Sequence, residues 1–338
     1  MKSPVLVIRK GGIYTGAYKR IIIAATDGKP VIIDRATLTG PGDLITQNVA
    51  CDLTVRNTTG STNPPFKLLV VWRFTRLTVE HNLLNGTGGI LICDHGHSAK
   101  FASVCYNRGN NITGATGPET REKVSFIQFQ NVHCPNIRVQ WNQLENRRGE
   151  SATEDAISLL RSGGTPDAPA DISNNLVHGV FEWPMITGTG HGNFSGSGIM
   201  CFDPGESYQV TDGGYARIHD NQVIACENQA YAMAGGHHIE VDHNRAVNDG
   251  TTTRCITVAY QAWNWHARTP GSLFGAATGF HDNQSYWVGP AGLSNFSIDA
   301  PVATDRNTIM YTTEADEVRL WQAKCAHAKV CLGPTPAR

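Results

Sequence analysis

One phrase recurs along the chain. It alternates polar and apolar residues and ends in asparagine. It reads LTVRN at Asn57, LTVEHN at Asn82, SVCYN at Asn107 and IRVQWN at Asn142, then DISNN at Asn175, RIHDN at Asn221, IEVDHN at Asn244 and GFHDN at Asn283. The intervals are 25, 25, 35, 33, 46, 23 and 39 residues. The short ones define a unit. The long ones fit one unit plus an inserted loop, and the longest also fits two units. One alternating strand per short unit is the mark of a solenoid, whose repeats bury their apolar faces only against their neighbours.

Asparagine at the end of the strand has two physical uses. It tolerates the left-handed backbone that a sharp bend needs. Its side-chain amide, stacked in register, hydrogen-bonds from coil to coil. The Asn series is therefore expected to hold the fold and do no chemistry. A second strand-like run follows most of these asparagines: GGILICD (88–94), VSFIQFQ (124–130), DAISLLR (155–161), SGIMCFD (197–203), QAYAMAG (229–235) and CITVAYQ (255–261). Each coil then carries at least two short strands. The fold class expected is all-β, a right-handed parallel β-helix.

Composition narrows the function. The formal net charge is −1 and there is no long basic run, which excludes the electrostatic footprint of nucleic-acid binding. No stretch approaches the ~18 apolar residues of a membrane span. The start, MKSPVLVIRKGG, is too short in apolar residues for a signal peptide. A secreted or cell-surface protein whose signal has been removed is the expectation, as for other long β-rich chains. Nine cysteines leave at least one unpaired. Most lie in apolar runs and read as buried small hydrophobes. Cys325 and Cys331 are the best disulfide candidates.

Several phrases resemble a widespread bacterial family of secreted right-handed β-helix repeat proteins in the pectate-lyase-like superfamily. They are KGGIYTG (10–16), PVIIDRATLTGPGDLI (30–45), EDAISLLRSGGTPDAP (154–169), SGSGIMCFD (195–203) and AYQAWN (259–264). The wider relatives of that family include polysaccharide lyases, polygalacturonase-like hydrolases, alginate epimerases and phage tailspikes. The resemblance implies the architecture and a glycan as partner.

A solenoid must protect both ends. Residues 1–304 are read as the β-helix domain, with irregular first coils over the first forty residues. Residues 305–338 are read as its C-terminal helical cap and tail. Thr312 or Thr313 would cap the helix, and the closing LGPTPAR would fray. Segments 58–75, 108–123, 182–195 and 262–276 break the period and are read as loops on a binding face. Solenoids of this kind occur as monomers and as homotrimers.

Aligning the ends of the second strands gives a row: Asp94, Gln130, Arg161, Asp203, His237, and Gln261 with Trp263. Stacked coils would set neighbours ~4.8 Å apart. Such a row suits polysaccharide cleavage. Elimination from a uronic acid needs a base for the C5 proton and a cation to neutralise the carboxylate, roles for Arg161 or His237. Hydrolysis needs two carboxyl groups, which Asp155 and Asp203 would supply. Glu154 and Asp155 equally well open a strand, and Arg161 equally well pairs with Asp203. Asp94, Asp203, Glu154 and Asp155 are the candidate calcium ligands, although no linear calcium motif is present.

The catalytic candidates are thus Arg161, Asp203, Asp155, Glu154 and His237. The substrate-binding candidates are Asp94, Gln130, His191, Tyr260, Trp263 and Trp265. His191 stands in a GHG that resembles that of polygalacturonase-like hydrolases, whose paired-Asp and Arg-x-Lys motifs are missing here. Tyr260, Trp263 and Trp265 are aromatics of the kind that stack on sugar faces. The expectation is a carbohydrate-active enzyme acting by β-elimination. A glycoside hydrolase or a non-catalytic glycan-binding β-helix is the alternative.

Overall fold

The protein was studied as a computed structural model. It describes residues 3–96, 98–116, 122–181, 195–204, 213–252, 257–264, 274–275, 277–289, 292–298 and 302–336. Among the described residues the chain is nearly all β, with one helix, Glu314–Ala328. Its strands lie in long parallel ladders, the arrangement of stacked coils. Among the described residues no helix is long and apolar enough to cross a membrane.

The first ladder has eleven strands in sequential order, from Val5–Ile8 to Phe296–Ile298. Its inward rung shows why the stack forms. Ile21, Ile45, Leu69, Ile90, Ile127, Ile157, Ile199, Tyr231 and Tyr260 are register partners in turn. All are 0% exposed. Each fully buried aliphatic side chain stabilises by about 1.5–3 kcal/mol, so one apolar residue per coil at this point builds a continuous core.

A second and a third ladder meet at the asparagine corner. Ile137–Gln140, for example, belongs to the second and Gln143–Glu145 to the third. Asn142 sits between them. Its backbone N–H and its Nδ2 both donate to Asn175 Oδ1, at 3.0 Å each, and Nδ2 also reaches Val104 O at 2.8 Å. The same pattern runs through Asn82, Asn107, Asn175, Asn221, Asn244 and Asn283, and ends on Asn307.

Two expectations need correction here. Asn57 is not a rung. Thr58 occupies that place, its N–H donating to Asn82 Oδ1 at 2.9 Å. The left-handed residue is also not the rung but the one before it: Asn57, His81, Tyr106, Trp141, Asn174, Asp220, His243, Asp282 and Arg306 all have φ of 51–60°. The bend and the ladder are separate tasks given to adjacent residues. The interval of 46 is one coil with a long excursion, because Asn175 bonds directly to Asn221 at 2.9 Å.

The first coils already join the ladders, with one register shift between Tyr14 and Gly16. Val5–Ile8 and Arg20–Ile23 enter the first ladder, and Gly12–Tyr18 pairs in parallel with Val31–Thr39. Segment 58–75 is likewise no insertion, since Thr59–Ser61 and Leu69–Val71 are ladder strands. Cys325 and Cys331 are both free thiols, so the expected disulfide is absent from this structure.

The helix begins where Thr313 accepts a hydrogen bond from the Asp316 N–H. It then runs back along the flank of the coils. Glu317 forms a bidentate pair with Arg245 at 2.7 and 2.8 Å, and Trp321 Nε1 donates to Gln143 Oε1 at 3.0 Å. Beyond the helix, Gly333 N donates to Tyr106 O and Thr335 N to Asn57 Oδ1. The expected loose tail is a strap tied almost to the first coils.

Candidate functional site

The expected row of strand-end residues has an altered arrangement in the first ladder. Gln130, Leu160 and Asp203 share one rung. Asp94 follows Cys93, the partner of Gln130, and so stands one residue further on, as Arg161 does. A register shift between Ser158 and Leu160 adds a residue to the strand Ser197–Asp203. The expected single row is therefore two adjacent rungs.

Five expected site residues fall elsewhere or outside. His237 is not in this ladder. It opens the strand His237–Asp242 of the second ladder, opposite Gly214, around the corner from Arg161. Tyr260 faces the core, stacked between Tyr231 and Phe296 at 5.1 Å from each, with its hydroxyl on Asn244 O and Gln284 O. It cannot reach a ligand. The reason is the strand period: Tyr260 continues the inward rung, and only Gln261 points out. His191 and Trp265 lie outside the described residues. Trp263 leaves the first ladder beside Met233, to whose carbonyl its N–H donates at 3.0 Å.

Asp94 is 2% exposed, and its carboxylate accepts the N–H groups of Ser98 and Ala99 at 3.1 and 2.9 Å. It closes its own turn. Arg161 takes left-handed backbone (φ 46°), its N–H donates to Asp203 O at 2.8 Å, and its Nε is buried without a hydrogen-bond partner. Left-handed backbone in a long side chain is costly and is often found at functional positions.

The closest grouping lies at the start of the strand Asp155–Leu160. Lys123 Nζ is 2.8 Å from Glu154 Oε1, and this pairing holds the lysine above its usual range. Asp155 beside it is 5% exposed. Burial raises its carboxyl well above the ordinary aspartate range, and the charges of Glu154 and Asp203 push it the same way. The hydroxyls of Ser158 and Ser197 oppose that shift without cancelling it. Lys123, Glu154, Asp155 and Asp203 thus share one electrostatic field. Lys123 is the member that the strand-end row leaves out. Its signal in the sequence is a lysine and an acidic pair preceding strands of neighbouring coils.

A second charged surface covers the second ladder. Arg217 is bidentate on Asp242 at 2.9 and 2.7 Å, and His281 lies 2.9 Å from both Glu240 and Asp282. Glu240, Asp242 and His281 offer ligand atoms within 4.8 Å of one another, a spacing that suits a divalent ion. Each is already engaged by a cation or a carboxylate of the same surface, so the group reads as an ion-pair ladder. No protein-family model matches the chain, and no curated protein or solved structure matches it.

Proposed function

We propose that the chain is a right-handed parallel β-helix that cleaves a polysaccharide outside the cell, on the outer face of its first ladder. The handedness is the one strongly preferred for crossovers between parallel strands. One observation carries the reading: a buried Asp155, its carboxyl held well above the ordinary aspartate range, beside the Lys123–Glu154 pair at the start of its strand. A carboxyl whose pKa is raised is the kind that can give its proton to a departing glycosidic oxygen.

β-Elimination at a uronic acid residue uses the groups as follows. Glu154 takes the C5 proton, the C4–O bond breaks, the C4–C5 double bond forms, and Asp155 beside it protonates the leaving oxygen. The Arg161 guanidinium neutralises the substrate carboxylate as charge develops. Asp203 and Gln130 orient the sugar. Hydrolysis is the second reading, and the two carboxyl groups Asp155 and Asp203 favour it.

The test is a panel of acidic and neutral polysaccharides, with and without added calcium, read by ultraviolet absorbance and by reducing ends together. Elimination raises both signals. Hydrolysis raises reducing ends alone. Neither signal on any polymer ends the enzymatic reading and leaves glycan binding.

A further inference from the structure

A run of aromatic rings ends abruptly on the second ladder. Gly214 pairs with His237 and Ala216 with Ile239, so Tyr215 and His238 occupy the same place on successive coils. Both take left-handed backbone, with φ of 51° and 52°. Their rings stack at 4.8 Å with planes 22° apart. On the next coil, Glu240 pairs with Gly279, and the residue two positions before Gly279 is Ala277, again left-handed at φ 52°, with one extra residue between it and the Gly236–Phe274 bridge. The stack therefore continues in backbone but stops in side chain. One coil carries a tyrosine, the next a histidine, the third only a methyl.

The strand positions beside the stack thin out in the same direction. Arg217 and Glu240 are register partners, but the next two residues in that row are Gly279 and Ala303. A groove of about 880 Å³ opens there, lined among others by His238, Glu240, Ala277, Gly279, His281 and Ala303. An aromatic ring, small residues and two polar side chains therefore line the same groove.

We propose that this groove binds a neutral pyranose unit of a glycan, its flat apolar face against the His238 ring and its hydroxyls on the Glu240 carboxylate, which His281 orients. The ring would take the level that the stack leaves empty, one coil spacing of ~4.8 Å beyond His238. Stacking on an aromatic face with polar groups at the edge is how an amphipathic ring is held. Charge selects the neutral class. Arg217 is answered by Asp242, and His281 by Glu240 and Asp282, so these cations are already neutralised from within the ladder. The exposed Glu240 carboxylate would repel an acidic sugar. This site is separate from the face of the first ladder and stands whether or not that face is catalytic.

The full chain is titrated by calorimetry with β-1,4-linked hexasaccharides of glucose, mannose and xylose, and with hexagalacturonate. Ala277→Tyr is the filling variant, since Tyr215 shows that tyrosine accepts this backbone. His238→Ala is the second variant, should the first not fold. At least one neutral hexasaccharide is expected to bind. Ala277→Tyr, or His238→Ala in its place, should weaken it at least ~10-fold, a loss readily measured, with the melting temperature unchanged. Asp155→Asn should bind it as the parent does, whatever that variant does to turnover. No binding of any neutral hexasaccharide overturns the proposal. So does neutral binding that the groove variants leave intact, or binding of hexagalacturonate alone that they abolish.

Discussion

Glu317 and Arg245 stand 72 positions apart and meet in a bidentate ion pair at 2.7 and 2.8 Å. Glu317 is 0% exposed, and Gln222 also donates to it. The pair pins the C-terminal helix to the third ladder. Glu317→Ala leaves Arg245 and Gln222 partly buried without their acceptor. Loss of one partner of a buried pair costs about 3–5 kcal/mol. Denaturant unfolding should show a loss of that order; a change under ~0.5 kcal/mol, the size of an ordinary surface substitution, would mean the strap is not coupled to the coils.

The separation of rung from bend makes opposite predictions for neighbouring residues. Asn142→Ala removes an amide that joins three coils and leaves buried backbone groups unpaired, at roughly 1–3 kcal/mol for each unsatisfied group. Asn174→Gly touches only a left-handed residue, where glycine is at ease, and should change stability by no more than ~0.5 kcal/mol. Paired melting curves of the two variants check this. Similar losses in both would return the bend to the ladder.

Asp155→Asn should abolish turnover and keep the fold, and Arg161→Ala and Asp203→Ala should do the same. The pH dependence has a definite sign. An acid whose folded pKa is raised contributes stability that is complete below its unfolded value and is lost as pH rises through the folded one. The parent should therefore lose stability as pH rises above the ordinary aspartate range, and Asp155→Asn should not. Melting temperature against pH for both proteins is the measurement. Parallel curves would show that Asp155 is not held protonated.

His219 offers a second titration. Hydrogen bonds that its ring donates to Asp171 and then Asp220 raise its imidazole to about 9, against partial burial. Its stabilising charge is complete below the ordinary histidine value and disappears as pH rises towards about 9. NMR titration of the histidine ring protons should place one midpoint far above the rest, and His219→Gln should remove it. All midpoints near 6.5, the usual histidine value, would contradict the pairing.

Much of the fold is legible in the order of the amino acids. The alternation before Asn107, Asn142, Asn175, Asn221, Asn244 and Asn283 marks real rungs, because a buried amide needs the same partner on the next coil. Asn57 misleads because Asn also suits the left-handed position, and only the hydrogen bond from the Thr58 N–H to Asn82 separates the two uses. The site is less legible. Glu154, Asp155 and Asp203 do share one field, but Tyr260 is core and His237 has turned the corner onto another ladder. Tyr260 and Gln261 are adjacent in an apolar run, and composition does not say which of them points inward.

The sequence by itself determined the repeat, the parallel stacking and the run of amides that joins the coils. These are local and periodic, and a period of two with an obligatory polar partner leaves little choice. Tertiary structure alone decided which side chains share a face. One extra residue in the strand Ser197–Asp203 moves Asp203 beside Leu160 and leaves Arg161 a rung away. It also decided that the tail returns to Asn57 and that the ring stack stops at Ala277. Such outcomes depend on register between coils, and register is set by packing across the stack.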